Sequence, residues 1–143
     1  MKIQNAIFEN KNYFETIGKI HKSDQLPVMD AYRINRLVKK LNELNTEYDE
    51  LKKKIFTQYG TPGEEEGTVL IESKNREGFA GEYNDLIAIE HDLETEMLAF
   101  PSKLEDGISA ADLNILEMFF DLSELEEKEK IEDEPESSNP LKN

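Results

Sequence analysis

Between Ile34 and Tyr59 the apolar side chains recur in alternating steps of three and four: Ile34, Leu37, Leu41, Leu44, Tyr48, Leu51 and Ile55, with Tyr59 one further step of four on. An α-helix returns to the same face about every 3.6 residues, so this spacing draws one stripe along a single long helix. Such a helix has to lay its stripe on something. The surface can be the core of its own chain, or a partner helix in a coiled coil or docking groove. The seam is only about three heptads long, and a tyrosine at the a-type position 48 is unusual in a clean dimer, which favours packing within the chain.

The limits of this helix are written in its flanks. Leu26-Pro27 opens it, because proline is tolerated in a first turn where its missing N–H would lack a partner anyway. Gly60-Thr61-Pro62-Gly63 closes it by turn chemistry. A helix over 27–59 would be about 50 Å long. Its polar side carries Arg33, Arg36, Lys39, Lys40 and Lys52–Lys54, the main basic region of the chain.

Shorter elements surround it. Tyr13, Phe14, Ile17 and Ile20 fit one face of a short helix from about Asn10, and residues 2–8 read as a strand or a lead-in. Thr68-Val69-Leu70-Ile71 is the best strand candidate, and Phe79, Tyr83, Leu86 and Ile87 recur at helical spacing. Over 87–99, Ile89, His91, Leu93, Thr95 and Met97 alternate with acids, the period of a half-buried strand that would pair with 68–71 as an antiparallel ribbon; Leu86, Leu93 and Met97 also fit a helix. Ser109 and Asp112 have the spacing of a helix cap, with Ile108 able to staple onto Leu113. That helix should carry Leu113, Leu116, Phe119 and Phe120 inward and stop near 121–122. The expected fold is mainly α (α+β): one long central helix, shorter helices packed on it and a small antiparallel ribbon. It forms a single elongated domain over 1–122, with an acidic, flexible tail over 123–143.

Charge narrows the choice of partners. The 143 residues carry a formal net charge of −15. Residues 1–120 hold 14 basic and 23 acidic residues, and 121–143 hold 3 basic and 9 acidic, so the acidity is not confined to the tail. A field of this sign repels nucleic acid and anionic membranes and steers the chain toward basic proteins. There is no cysteine, hence no disulfide or thiolate chemistry. No apolar run approaches the roughly 18–20 residues of a bilayer span. A soluble, cytoplasmic protein is expected.

Few residues suggest catalysis. His91 stands in Glu90-His91-Asp92, a carboxylate–histidine run able in principle to hold a divalent metal or act as a base; an ordinary histidine in an acid-rich ribbon explains it as well. Glu64-Glu65-Glu66 lacks the spacing of a calcium loop and reads as a solvated acidic loop. Neither histidine has a flanking nucleophile motif. No catalytic residue, metal site or cofactor is expected. The acids of the tail, Glu124, Glu126, Glu127, Glu129, Glu132, Asp133 and Glu134, are spaced so that they could imitate a phosphate backbone in a basic groove, with Glu64–Glu66 a second acidic contact.

Leu26-Pro27, Ala31-Tyr32, Leu37, Lys40-Leu41 and Tyr59-Gly60 form a pattern that resembles small uncharacterised proteins of phages infecting Gram-positive bacteria. The Gly67-Thr68-Val69 segment, then Asn75, Phe79, Glu82 and Leu86, and the Ile108-Ser109 helix start extend the similarity over about residues 20–120. The family brings no activity with it; the resemblance implies a phage source and a place in the infected host's cytoplasm. Together with the acidity it suggests a non-enzymatic protein that binds a basic, nucleic-acid-handling host factor and inhibits it. The other expectations are a tail or assembly component oligomerising through the 34–55 seam, and a metal-dependent enzyme built on His91.

Overall fold

The computed structural model describes residues 1–101 and 107–123. Its axis is α2 (Val28–Tyr59), 32 residues and therefore about 48 Å long. Pro27 stands just before the helix rather than in its first turn, with φ −57°, and its carbonyl accepts from the Ala31 N–H at 2.9 Å. Gly60 ends the helix by turning to extended backbone, and Asn75 Nδ2 donates to the Tyr59 carbonyl at 3.1 Å, satisfying one of the acceptors the last turn leaves open.

The chain begins with β1 (Lys2–Gln4), a 3-10 turn (Asn5–Glu9) and α1 (Tyr13–His21). After α2 come β2 (Gly60–Pro62), β3 (Val69–Ile71), a 3-10 turn (Ser73–Asn75), α3 (Arg76–Ala88), β4 (Glu90–Asp92), β5 (Leu98–Ala99), α4 (Ala110–Leu116) and β6 (Phe120–Asp121). Mainly helical architecture around one long helix is therefore observed. The expected ribbon is rearranged. Its strands are three two-stranded sheets: β1–β4 and β2–β3 antiparallel, β5–β6 parallel. The 69–71 strand pairs with the residues right after α2, because Gly60 and a short loop let the chain fold back at once. The alternating stretch is not one continuous strand: 90–92 pairs with the N-terminus, and 98–99 pairs with 120–121. Helix α3 persists to Ala88, and Glu94 at φ 54° turns the chain between β4 and β5.

The seam forms one side of the core. Ile34, Leu37, Leu41, Leu44 and Tyr48 are buried, with Val38 beside them, while Leu51 and Ile55 are half-buried. They pack against Ile3, Ile7, Phe8, Tyr13 and Ile20 from the N-terminal elements, Leu86 and Leu93, and Ile115, Leu116, Phe119 and Phe120. Toward its C-terminus α2 instead meets α3 through aromatic rings, Phe56–Phe79 at 5.3 Å and Phe56–Tyr83 at 6.4 Å, with Phe79 and Tyr83 stacked on each other along α3 at 5.6 Å.

Two inward faces differ from expectation. In α1, Tyr13, Thr16 and Ile20 are buried and Phe14 is 58% exposed, because the helix starts at Tyr13 and position 14 falls on its outer side. Helix α4 ends at Leu116, and Ile115 takes the buried place expected of Leu113; Phe119 and Phe120 reach the core from the turn and strand that follow. The cap forms as expected: Ser109 Oγ accepts from the Asp112 N–H at 3.1 Å, and the Asp112 carboxylate accepts from the Ser109 N–H at 2.9 Å.

Candidate functional site

The acidic loop sits at the tip of the β2–β3 hairpin. The Gly63 N–H donates to the Thr68 carbonyl at 2.8 Å, the Thr68 hydroxyl donates to the Glu65 carbonyl at 2.6 Å, and Gly67 takes φ +83°. These bonds close a tight loop, and the positive φ suits glycine. Glu64, Glu65 and Glu66 are all exposed, and none has an ion pair among the described residues. Val69 and Leu70, 45% and 57% exposed, lie on the adjoining strand. Three carboxylates beside an apolar flank can receive the lysines or arginines of another protein and bury its apolar side chains.

A concavity of about 830 Å³ lies between the first half of α2 and the segment joining β4 to β5. Arg33, Arg36 and Lys40 line it from α2; Glu94, Glu96 and Met97 line it from the other side. Arg36 is partly held by Tyr32, its guanidinium 5.8 Å from the ring centroid.

Three polar nodes hold the elements that carry these surfaces. At the first, Glu9 Oε1 accepts from the Tyr48 hydroxyl, from the Tyr83 hydroxyl at 2.8 Å and from Lys52 Nζ at 2.8 Å, tying the first 3-10 turn to α2 and α3. Burial pushes the Glu9 carboxyl up, but the Lys52, Tyr48 and Tyr83 hydrogen bonds outweigh it and hold it below its ordinary value. The Tyr48 phenol is driven strongly upward by burial and then by Glu9 and Tyr83, so it stays a donor.

At the second node Asp112, 3% exposed, accepts from the Thr16 hydroxyl at 2.5 Å and from Lys19 Nζ at 2.8 Å, besides the Ser109 N–H. Burial opposes its charge, yet the Lys19, Ser109 and Thr16 bonds prevail and its carboxyl falls well below the usual range. Helices α1 and α4 are joined here.

The third node is His91. Its Nε2 lies 2.7 Å from Asn5 Oδ1, and Asn5, 2% exposed, donates Nδ2 to the Leu86 carbonyl at 3.0 Å. Successive side chains of a strand point to opposite faces, so Glu90 and Asp92 leave His91 on the other side of β4. Glu90 instead meets Lys2 at 3.5 Å, and Asp92 meets the Met1 ammonium at 4.0 Å. The three residues adjacent in sequence therefore do not converge, and the described residues contain no group of three histidine or acidic side chains placed to hold a metal.

Of the residues singled out from sequence, Glu64–Glu66 are presented together at one tip. The seam residues Ile34 to Tyr48 pack in the chain's own core. Glu124, Glu126, Glu127, Glu129, Glu132, Asp133 and Glu134, and the expected flexible tail of which they are part, lie outside the described residues. Sequence reasoning missed Glu9, Asn5 and the Thr16–Asp112 contact. One signal was present: a tyrosine on a buried seam needs an acceptor for its hydroxyl. The identity of that acceptor, 39 residues away, was not legible. Among the described residues no helix is long and apolar enough to cross a membrane. Compared with protein-family models, curated proteins and solved structures, the chain finds no match.

Proposed function

We propose that this chain is a phage protein that acts without catalysis, by binding a basic, nucleic-acid-handling factor of the host and inhibiting it. The observation that carries the reading is the distribution of charge. The −15 is spread over body and tail, and an exposed acidic tip is joined to exposed Val69 and Leu70. Acidic side chains at the rim raise the association rate with a cationic surface, and an apolar flank slows dissociation. The tail acids Glu124–Glu134 supply the larger field, and Glu64–Glu66 the second contact. The phage source rests on the sequence resemblance over residues 20–120. Assembly through the 34–55 seam is less favoured, since five of its seven residues already cover one another's neighbours in the core.

The test is capture from a lysate of a Gram-positive host at 50 and 500 mM salt, followed by assay of the captured factor's nuclease or polymerase activity. Three baits are compared: the wild-type chain, the Glu64→Gln/Glu65→Gln/Glu66→Gln variant, and a variant with Glu124, Glu126, Glu127 and Glu129 changed to Gln. A basic enzyme that is inhibited by wild type, lost at high salt and weakened by the tail variant supports the reading. Capture indifferent to salt and to both sets of substitutions, or a captured enzyme left fully active, refutes it.

A further inference from the structure

The two antiparallel sheets leave four outer edges among the described residues, and three of them are guarded against another strand. Along a ladder, residues alternate between bonding to the paired strand and turning their backbone groups outward. In β1–β4 the Asn5 N–H donates to the Ile89 carbonyl and the Leu93 N–H to the Met1 carbonyl. That register turns the backbone of Lys2, Gln4, Glu90 and Asp92 outward, and all four carry polar, exposed side chains. On β2 the outward residues are Gly60, whose N–H returns to the Phe56 carbonyl, and Pro62, which has no N–H to give.

Strand β3 has no such guard. The bond from the Gly63 N–H to the Thr68 carbonyl fixes its register, so Val69 and Ile71 turn their N–H and C=O groups away from β2. None of these groups has a hydrogen-bond partner among the described residues. The Val69 and Ile71 side chains both lean over Gly60, which leaves Leu70 on the opposite face. Leu70 is 57% exposed and Val69 45%. Free backbone groups beside exposed apolar side chains suit the addition of an extended segment as a further strand, with main-chain bonds giving affinity and alternate side chains giving selection. Charge selects the kind of segment. Residues 60–73 include four glutamates and no lysine or arginine, and the next cation, Lys74, is 3.4 Å from Glu72. A second copy of the chain would bring another −15 to this edge, whereas a cationic segment is drawn to it.

We propose that β3 takes up an extended segment of the basic partner as an antiparallel third strand of the β2–β3 sheet. The backbone of that segment bonds to Val69 and Ile71, and an apolar residue between the two bonded positions covers Leu70. An antiparallel strand runs toward the start of β3, where Glu64–Glu66 stand, so its lysines or arginines lie C-terminal to the apolar residue. This rests on the proposed function and gives the partner's contact a form: an extended, apolar stretch with a cationic end, rather than a helix.

The probe is the acetylated, amidated peptide Thr-Val-Leu-Val-Thr-Lys-Lys-Lys, added at millimolar concentration to the full 15N chain. Hydrogen exchange is read amide by amide by NMR. The expected result is exchange slowed several-fold at Val69 and Ile71 and unchanged at Leu70, whose N–H already faces β2. The same peptide N-methylated at both valines has no N–H to give β3 and should fail to bind. Salt at 500 mM, or the Glu64→Gln/Glu65→Gln/Glu66→Gln variant, should weaken the parent peptide several-fold. The three glutamates are exposed, and an unchanged Tm shows that the variant folds. Equal binding of the methylated peptide, effects centred on 30–40 or 93–99, or no binding overturns the proposal. Slow exchange at Val69 and Ile71 in the chain alone overturns it too, in favour of a second copy if the slowing grows with chain concentration. Capture of the basic enzyme is measured in parallel. Peptide docking without a captured enzyme refutes the proposed function alone; a captured enzyme without peptide docking refutes the strand addition alone.

Discussion

Replacing Asp112 by alanine should separate α4 from α1 more effectively than any surface change of similar size. Two losses are countable. The carboxylate half of the capping box disappears, the bond from the Ser109 N–H, which costs about 0.5–1.5 kcal/mol as a typical hydrogen bond, while Ser109 Oγ keeps its bond to the backbone N–H of residue 112. The Thr16 hydroxyl, fully buried at 0% exposure, loses its acceptor at 2.5 Å, and an unsatisfied buried donor costs about 1–3 kcal/mol. Lys19 lies toward solvent, where water takes the place of the lost carboxylate. The sum is about 1.5–4.5 kcal/mol, a large part of the stability of a domain this small.

Urea denaturation followed by circular dichroism measures the effect as a drop in midpoint at constant slope. The decisive experiment is the cycle with Thr16→Val. If the hydroxyl is the source of the penalty, Asp112→Ala costs about 1–2 kcal/mol less in the Thr16→Val background than in wild type. The pH dependence has a definite sign. The folded carboxyl is held below its ordinary value of about 3.9, so the unfolded chain binds more protons as pH falls through that value. The Asp112 contribution is complete above about pH 5 and declines as pH falls toward the folded pKa, so wild type and Asp112→Ala converge in acid. A penalty under about 0.5 kcal/mol, strictly additive substitutions, or a gap that widens in acid would refute this account of the node.

Other expectations follow from the same contacts. Leu41→Ala removes a side chain of 0% exposure at the middle of the seam and should cost about 2–5 kcal/mol in the same denaturation assay. Its midpoint should not vary with protein concentration; a midpoint that rises with concentration would mean that the seam is shared between chains. Gly60→Ala should destabilise by about 1–3 kcal/mol, because the new Cβ meets the Val69 side chain and, at 2.7 Å, the Phe56 carbonyl oxygen; calorimetry showing an unchanged Tm would contradict that approach. Glu9→Gln should keep an acceptor for Tyr48 but lose the Lys52 ion pair. Since the folded Glu9 carboxyl lies below its ordinary value, wild type should be the more stable above about pH 4.5 and lose that advantage as pH falls, which parallel urea titrations at pH 7 and pH 3 would show.

The long helix was legible because its information is local and repeated. Each turn from Ile34 to Tyr48 names the same face, Pro27 and Gly60 mark its two ends, and Ser109 with Asp112 announces a cap within four residues. The mainly helical class and the acidic loop between glycines follow from the same kind of signal. Which surface the seam would cover was open in sequence, because a heptad stripe looks the same to a partner helix and to its own core. Only the arrival of Ile20, Phe8, Leu86 and Leu116 on that stripe decided it. The pairing of strands was also a tertiary decision. The alternation over 87–99 fits a strand, but hydrogen-bond partners are chosen by proximity, and α3 brings residue 90 to the N-terminus rather than to Val69. The same holds for His91, whose acidic neighbours in sequence are turned from it by the strand's pleat. Period and composition determine which residues must be buried or charged. Which carboxylate meets which buried hydroxyl, as Glu9 meets Tyr48 and Asp112 meets Thr16 across 39 and 96 residues, is set by packing, since no local pattern records contacts that distant.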